Sequence, residues 1–492
     1  MYPPATELLV HNRKVIRYQP CFTTLCFLFD EPVHFVTDVT DWFPNATGPF
    51  PDNPLAGELE LDFLNRATGK LGLNLSPSIK YSRRCIKLTF APEAKRQEVV
   101  NISQPLVVDQ VTLRLEQVEG SRTTLSQCTP IELVVSGPYP VGENFPHIIF
   151  GIATNYDRLR ESLTAIAHWC SKQDTKLIAI VEDWSRRSND ILKLQQEYRD
   201  SGIKATFIKP LDESHTTSQS HFMVLTQMLK ESDPETKWFG LLDDDTFFPH
   251  LKPLSDALGQ LDHRVDMYVG ALAEDFGSVK NFGLMAYGGA GAYLSAHLAQ
   301  KLGVQAATCI REAPPNMGDI ILRDCVYQHS KARLTILPGL YQQDLLGDLS
   351  GFFESGIEPI NLHHWKSWYR EPVIKMAATA GYCGNCFLQR WRFGEDTVLS
   401  NGYSIARYRS GLGSIDLDKM EHTWSQVYGD VNPEYSFTLG PLRERVSDEE
   451  KRSYKLVDSE IFESGVMRQA YLRKGGGQAG ELDEVVELLW QK

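Results

Sequence analysis

From His147 onward the chain alternates short apolar runs with amphipathic stretches, and this alternation constrains the fold more than any other feature. The apolar runs His147 to Ala153, Lys176 to Val181, Lys204 to Ile208 and Trp238 to Leu242 have strand length. The segments between them, Tyr156 to Ser171, Asn189 to Arg199 and Ser218 to Leu229, carry helical periodicity. Strand, helix, strand in repetition predicts an α/β layer fold with a mostly parallel sheet and helices on both faces. Ligands of such sheets bind beyond the carboxyl ends of the strands. That rule places Thr154, Glu182, Asp183 and the run Asp243 to Asp245 around one crevice.

The flanks read differently. Residues 1–145 are β-rich, with runs at Val33 to Thr37, Ile86 to Phe90, Leu106 to Val111 and Ile131 to Val135 among Pro, Gly and Asn punctuation, and a linker from Ser136 to Pro146. The expected division is a β-rich region at 1–145, an α/β domain at 146–370, and an extension at 371–474 with a hairpin at Asn401-Gly402. A glycine-rich joint and a short acidic tail helix, Glu481 to Trp490, then occupy 475–492.

The sharpest local signal is Trp238-Phe-Gly-Leu-Leu-Asp-Asp-Asp-Thr-Phe-Phe248, an apolar strand ending in three carboxylates. Alternation along an extended chain turns Asp243 and Asp245 one way and Asp244 the other. Two hard oxygen donors at i and i+2 suit a divalent cation with positions left for phosphate oxygens. An acidic, solvated turn weighs about equally on these residues alone, and the apolar strand behind them tips the balance.

Three further segments are candidates. Tyr287-Gly-Gly-Ala-Gly-Ala-Tyr-Leu-Ser295 lacks the third glycine of a dinucleotide fingerprint, so Gly288, Gly289 and Gly291 permit close approach either of a ligand or of neighbouring backbone. Pro314-Pro-Asn-Met-Gly-Asp319 feeds a helical pattern, where Asp319 is a capping acid or a general base, with Asp324 one turn later as runner-up. In Ile360-Asn-Leu-His363-His364-Trp365 an extended chain would turn the imidazoles to opposite faces, so one at most should share a metal with Asp245.

Composition excludes several classes. The net charge of −13 disfavours a phosphate backbone as partner, so no nucleic acid is expected and an anionic ligand needs a local cation. No apolar run approaches the roughly 20 residues of a membrane span, and Cys21 to Phe29 is too short. Three N-x-S/T acceptors, Asn45, Asn74 and Asn101, cluster early and fit a lumenal module, which favours a targeting segment outside this chain. The nine cysteines include a lone Cys383-Gly-Asn-Cys386 without the second pair of a zinc site, and Cys309 and Cys325 flank the Asp319 loop and can staple it in an oxidising compartment.

In their order, the acid run, the Gly-Gly-Ala-Gly loop, Gly-Asp-Ile-Ile-Leu and Leu-His-His-Trp resemble the Fringe-like β-1,3-glycosyltransferases of glycosyltransferase family 31, which include the core-1 β-1,3-galactosyltransferases, and the fungal branch most of all. The resemblance covers about 147–370, weakly reaching Cys383 to Tyr403. It implies a GT-A fold, a UDP-sugar donor, Mn²⁺ or another divalent cation, inversion at the anomeric carbon, and a glycan or glycoprotein acceptor in the secretory pathway, in the Golgi lumen. Carried onto this chain, it implies Asp245 and His363 as metal ligands with Asp243 beside them and His364 as alternative. Asp319 becomes the base. Asp243, Asp244, Thr154, Arg158, Asp183, Gly288, Gly289 and Gly291 lie along the donor. The family's membrane anchor has no counterpart here. A catalytically silent carbohydrate-binding protein on the same scaffold is the competing reading, and a metal-dependent phosphoesterase a third that lacks ligands for two metals.

Overall fold

The computed structural model describes residues 73–115, 128–313, 318–428, 432, 434–475 and 481–492. The run Val33 to Thr37, Cys21 to Phe29, Asn45 and Pro314 to Met317 lie outside the described residues.

The central sheet has seven strands: β5 (Ile148–Thr154), β6 (Lys176–Val181), β7 (Lys204–Ile208), β8 (Trp238–Leu241), β9 (Tyr268–Gly270), β10 (Ala292–Ser295) and β11 (Leu334–Ile336). Among the described residues four strands precede them, β1 (Ser78–Phe90), β2 (Val100–Ile102), β3 (Val111–Arg114) and β4 (Ile131–Val135). The order across the central sheet is β11-β9-β10-β8-β5-β6-β7. The chain thus runs outward from β5 through β6 to β7 and returns on the other side of β5 as β8, parallel to it. That reversal puts a crevice between the carboxyl ends of β5 and β8, where Thr154 and the acid run emerge.

Both faces of this sheet are covered, which is why its strands read as unbroken apolar runs. Ile148, Phe150 and Ile152 of β5 pack with helices α1 (Tyr156–Cys170) and α2 (Trp184–Asp200). Ile149, with Ile178 and Ile180 of β6, packs against α3 (Thr217–Glu231), α6 (Ala296–Glu312) and α7 (Gly318–His329). Two shorter helices, α4 (Lys252–Gly259) and α5 (Phe276–Phe282), lie between. Asn155 caps α1 and Thr216 caps α3 through a capping box with Gln219, so each begins where its polar cap stands. A disulfide, Cys309 to Cys325, ties α6 to α7.

Strands from both flanks share a second sheet of ten strands. Arg390–Phe393, Thr397–Ser400, Ser404–Tyr408, Lys451–Ile461, Met467–Arg473 and Asp483–Gln491 join β1 to β4 there, and Asn401-Gly402 makes the expected hairpin turn with Gly402 at φ +82°.

Two expectations fail. The tail is a strand, not a helix: Asp483–Gln491 lies between β1, which it pairs in parallel, and Met467–Arg473. Its acids are satisfied in the sheet, Glu487 by the Tyr81 hydroxyl and the Arg83 guanidinium and Glu484 by the Tyr454 hydroxyl, so a helix-like charge pattern survives burial. Leu106 to Val111 is irregular, with Leu106 plugged into the core behind Pro105, and pairing begins only at Val111.

Candidate functional site

The acid run is held by the backbone at both ends. Behind it β8 is wholly buried; ahead of it Phe247 and Leu362 exchange two backbone hydrogen bonds of 2.8 and 2.7 Å. This short antiparallel bridge sets the histidine pair opposite the acids. The carboxylates divide as alternation requires. Asp243 and Asp245 turn to the crevice, where His363 Nε2 stands 3.5 Å from Asp243 Oδ2 and 3.1 Å from Asp245 Oδ1. Asp244 turns toward α1: Arg158 Nε donates to its Oδ2 at 2.6 Å, the Thr154 hydroxyl and a second Arg158 nitrogen also donate to it, and Lys366 Nζ is 3.5 Å away. Asp244, Thr154 and Arg158 are thereby engaged with one another. The Asp243 side chain is 41% exposed and that of Asp245 only 5%, so Asp243 is the acid open to a ligand.

The imidazole of His363 is oriented from behind. Its Nδ1 donates to the Gln342 carbonyl at 2.6 Å and its backbone N–H to Gln343 Oε1. A ring whose Nδ1 proton is committed to a carbonyl presents the Nε2 lone pair, here to two carboxylates, which is the arrangement of a metal-ligating histidine. Without a cation the three groups share a proton: burial lowers the basicity of His363, but Asp245 and Asp243 outweigh it and raise its pKa well above the ordinary value. Desolvation pushes Asp243 and Asp245 up, and His363 holds both below the usual carboxylate range.

His364 departs from the expectation that it faces away. It adopts φ +56°, which breaks the alternation and brings its ring centroid 3.7 Å from that of His363. The ligand atoms of Asp245, His363 and His364 lie within 4.8 Å of one another. Hard carboxylate oxygens with imidazole nitrogens, some facing open crevice, fit a divalent ion such as Mn²⁺ that keeps positions free for a ligand. Ser367 donates to Asp245 Oδ2 at 2.8 Å, and His364 Nε2 also meets Asp344 at 3.3 Å while its ring stacks on Trp368.

Gly288 and Gly289 form the opposite wall, while Gly291 packs against Tyr293 and Leu242 behind it. A Cβ at Gly289 would strike the His363 ring, and one at Gly288 would lie 2.8 Å from Asp243 Oδ1 and 3.0 Å from Asp319 Oδ1. Gly291 sits at φ +85°. The absent side chains therefore make the space that these three groups share. Asp319, in the first turn of α7, accepts the Gly288 N–H on Oδ2 at 3.0 Å, leaving Oδ1 beside Asp243. Desolvation, and next the Asp243 charge, raise its pKa to about 6. Asp324 instead pairs with its neighbour Arg323 at 2.7 Å. Asp183 accepts the Tyr156 N–H at 2.9 Å, beside the start of α1.

Sequence reasoning missed His221, whose Nε2 is 3.2 Å from the Leu242 carbonyl and 3.9 Å from Asp243 Oδ1. It also missed the support beneath the histidines. Gln342, Gln343 and Asp344 stand there, with buried Glu274 accepting the backbone N–H groups of Gln342 and Asp344 at 3.2 and 3.3 Å. His221 sits on the buried face of α3, a polar residue on an apolar stripe, and that was the available signal.

The family described as "Protein of unknown function, DUF604" matches residues 279–376, a span holding the glycine loop, Asp319 and His363 but not the acid run. No curated protein matches the chain. Among solved structures, mouse xyloside xylosyltransferase 1 in its apo form is similar at 12% identity over 40% of this chain and 86% of its own, with a TM-score of 0.28. The 4-diphosphocytidyl-2C-methyl-D-erythritol synthase of Anaerococcus prevotii is similar at 10% identity over 39% and 90%, with a TM-score of 0.26. The galactosyltransferase LgtC, with donor and acceptor sugar analogues, is similar at 14% identity over 39% and 73%, with a TM-score of 0.25.

Proposed function

We propose that the chain is an inverting, metal-dependent glycosyltransferase that moves a hexose or N-acetylhexosamine from a UDP-sugar to a glycan or glycoprotein hydroxyl, on the GT-A arrangement and with the β-1,3 linkage that the motif order implies. The observation that carries the reading is the meeting of Asp243, Asp245 and His363 with Asp319, across Gly288, at the carboxyl ends of β5 and β8. A divalent ion held by Asp245 and His363, with Asp243 beside it, would offset the negative charge that grows on the departing diphosphate.

The remaining work falls to this chain's own residues. Inversion in one displacement needs one base beside the acceptor hydroxyl. Asp319 qualifies: the Gly288 N–H fixes one oxygen and the other faces the space next to Asp243. As the acceptor oxygen bonds to the anomeric carbon and the bond to phosphate breaks, the hydroxyl proton passes to Asp319. A carboxyl titrating near 6 is ionised at neutral pH yet basic enough to take it.

The secretory setting rests on other features. Disulfides join Cys85 to Cys128, Cys309 to Cys325 and Cys383 to Cys386, a pattern of oxidising compartments. Asn74 and Asn101 are exposed. No helix among the described residues is long and apolar enough to cross a membrane. Transfer measured with a panel of UDP-sugars on wild type and Asp319→Asn tests the proposal: turnover lost with UDP binding kept supports it, and intact transfer by Asp319→Asn refutes the base assignment.

A further inference from the structure

A cavity of about 460 Å³ opens where the linker after β4, the segment after the acid run and the turn around Cys383 meet. That volume falls within the roughly 300–1,000 Å³ of small-ligand sites. One wall is aromatic: Tyr139 stacks on His250 with ring centroids 4.5 Å apart, and Tyr341 and Phe387 also line the cavity. The rim is polar and pre-arranged. The Tyr139 hydroxyl donates to Asn385 Oδ1 at 2.6 Å, and Gln97 Nε2 donates to Glu358 Oε1 at 2.7 Å.

Charge limits what can enter. Arg96, the cation of the described lining, is spent on the carbonyls of Gly356, Ile357, Asn385 and Phe387, and it also lies 3.7 Å from Glu358. The described lining so offers aromatic faces, the amides of Gln97 and Asn385 and oxygen acceptors, and among the described residues no cation is free for a phosphate. That chemistry suits a neutral saccharide ring, whose C–H face lies on an aromatic plane and whose adjacent hydroxyls both donate and accept. A proline-rich peptide also favours aromatic walls, but it binds open grooves as an extended ridge.

The cavity communicates with the candidate site through two paired segments. Ile360 N–H bonds to the Gly339 carbonyl at 2.7 Å and Tyr341 N–H to Asn361 Oδ1 at 2.9 Å. Gln342 follows Tyr341 directly, and His363 stands two residues past Asn361. We infer that this cavity is a saccharide subsite that seats one neutral sugar residue of an extended acceptor against the Tyr139–His250 stack. The acceptor assignment rests on the transferase reading; the saccharide assignment rests on the cavity.

Saturation-transfer NMR on the full chain tests it, with the methyl glycosides of galactose, glucose, mannose and N-acetylglucosamine as probes and UDP with Mn²⁺ in a parallel sample. At least one glycoside should show ring-proton transfer, falling five-fold or more in Tyr139→Ala and in Asn385→Ala, with UDP affinity unchanged in both. Asn385 is exposed, so its variant keeps the fold if Tyr139→Ala does not. Absence of transfer in wild type that binds UDP overturns the subsite and leaves the transferase reading standing. Transfer unaffected by both variants also overturns it, as does hexaproline binding that requires Tyr139 where the glycosides fail. Tyr139-dependent glycoside binding without UDP binding upholds the saccharide site and overturns the transferase reading.

Discussion

Replacing Gly289 with alanine drives a methyl group into the ring of His363. The ring has no easy retreat. Its Nδ1 is bonded to the Gln342 carbonyl at 2.6 Å, its backbone N–H to Gln343 Oε1, and the Phe247–Leu362 bridge holds the preceding residue. Should the loop yield instead, the Gly289 carbonyl gives up its bonds from Thr246 Oγ1 at 3.0 Å and Asn361 Nδ2 at 3.1 Å. Overpacking costs about 1–3 kcal/mol, and each lost hydrogen bond adds roughly 1 kcal/mol. The variant should therefore lose about 1–3 kcal/mol if the loop holds and about 3–5 kcal/mol if it yields both bonds, read as a lower urea midpoint by tryptophan fluorescence. Displacing a metal ligand's support typically weakens binding about 10–100-fold, read by titrating Mn²⁺ and counting free ion by electron paramagnetic resonance. Gly259→Ala is the control, since a Cβ there meets nothing within 4 Å. Wild-type stability and Mn²⁺ affinity in Gly289→Ala would refute this account of the glycine loop.

The pH–rate profile of transfer should carry an acidic limb because Asp319 must be ionised to act as base, and that limb should be absent from the residual activity of Asp319→Asn. Because the folded pKa lies above the unfolded value of about 4, ionised Asp319 opposes folding, and metal-free Asp319→Asn should be more stable than wild type above pH 6 and equal to it below about pH 4. Arg158→Ala leaves Asp244 buried with Thr154 and the more distant Lys366; urea melts should show a loss of about 2–3 kcal/mol, under the full penalty of a broken buried pair because Arg158 is itself 43% exposed. Leu488→Ala, at a fully buried position of the last strand, should cost about 2–5 kcal/mol by the same assay, whereas a solvated tail helix would lose less than about 1.

The central sheet was legible because parallel strands buried on both faces carry unbroken apolar runs, and β6 and β7 begin and end where the pattern does. The last strand was hidden by Glu484 and Glu487, which mimic a helical surface until Tyr454, Tyr81 and Arg83 are seen across the sheet. Those partners lie 30 to 406 residues away, beyond any local pattern. At the site, alternation predicted how Asp243, Asp244 and Asp245 divide, since a short extended run has little freedom. The same rule failed at His364, whose left-handed backbone follows from the Trp368 stack and from the Ser367 and Trp368 N–H bonds to its carbonyl. Gln342, Gln343 and Glu274 form no motif, and only the fold brings them beneath His363.

The central claim is that Asp245 and His363, with Asp243, build a cation-dependent nucleotide site, and calorimetric titration of UDP with and without Mn²⁺ tests it most directly. On wild type the account predicts binding that requires Mn²⁺, and on Asp245→Ala its loss. UDP binding indifferent to Mn²⁺ and to Asp245, or no binding under any metal condition, would contradict it.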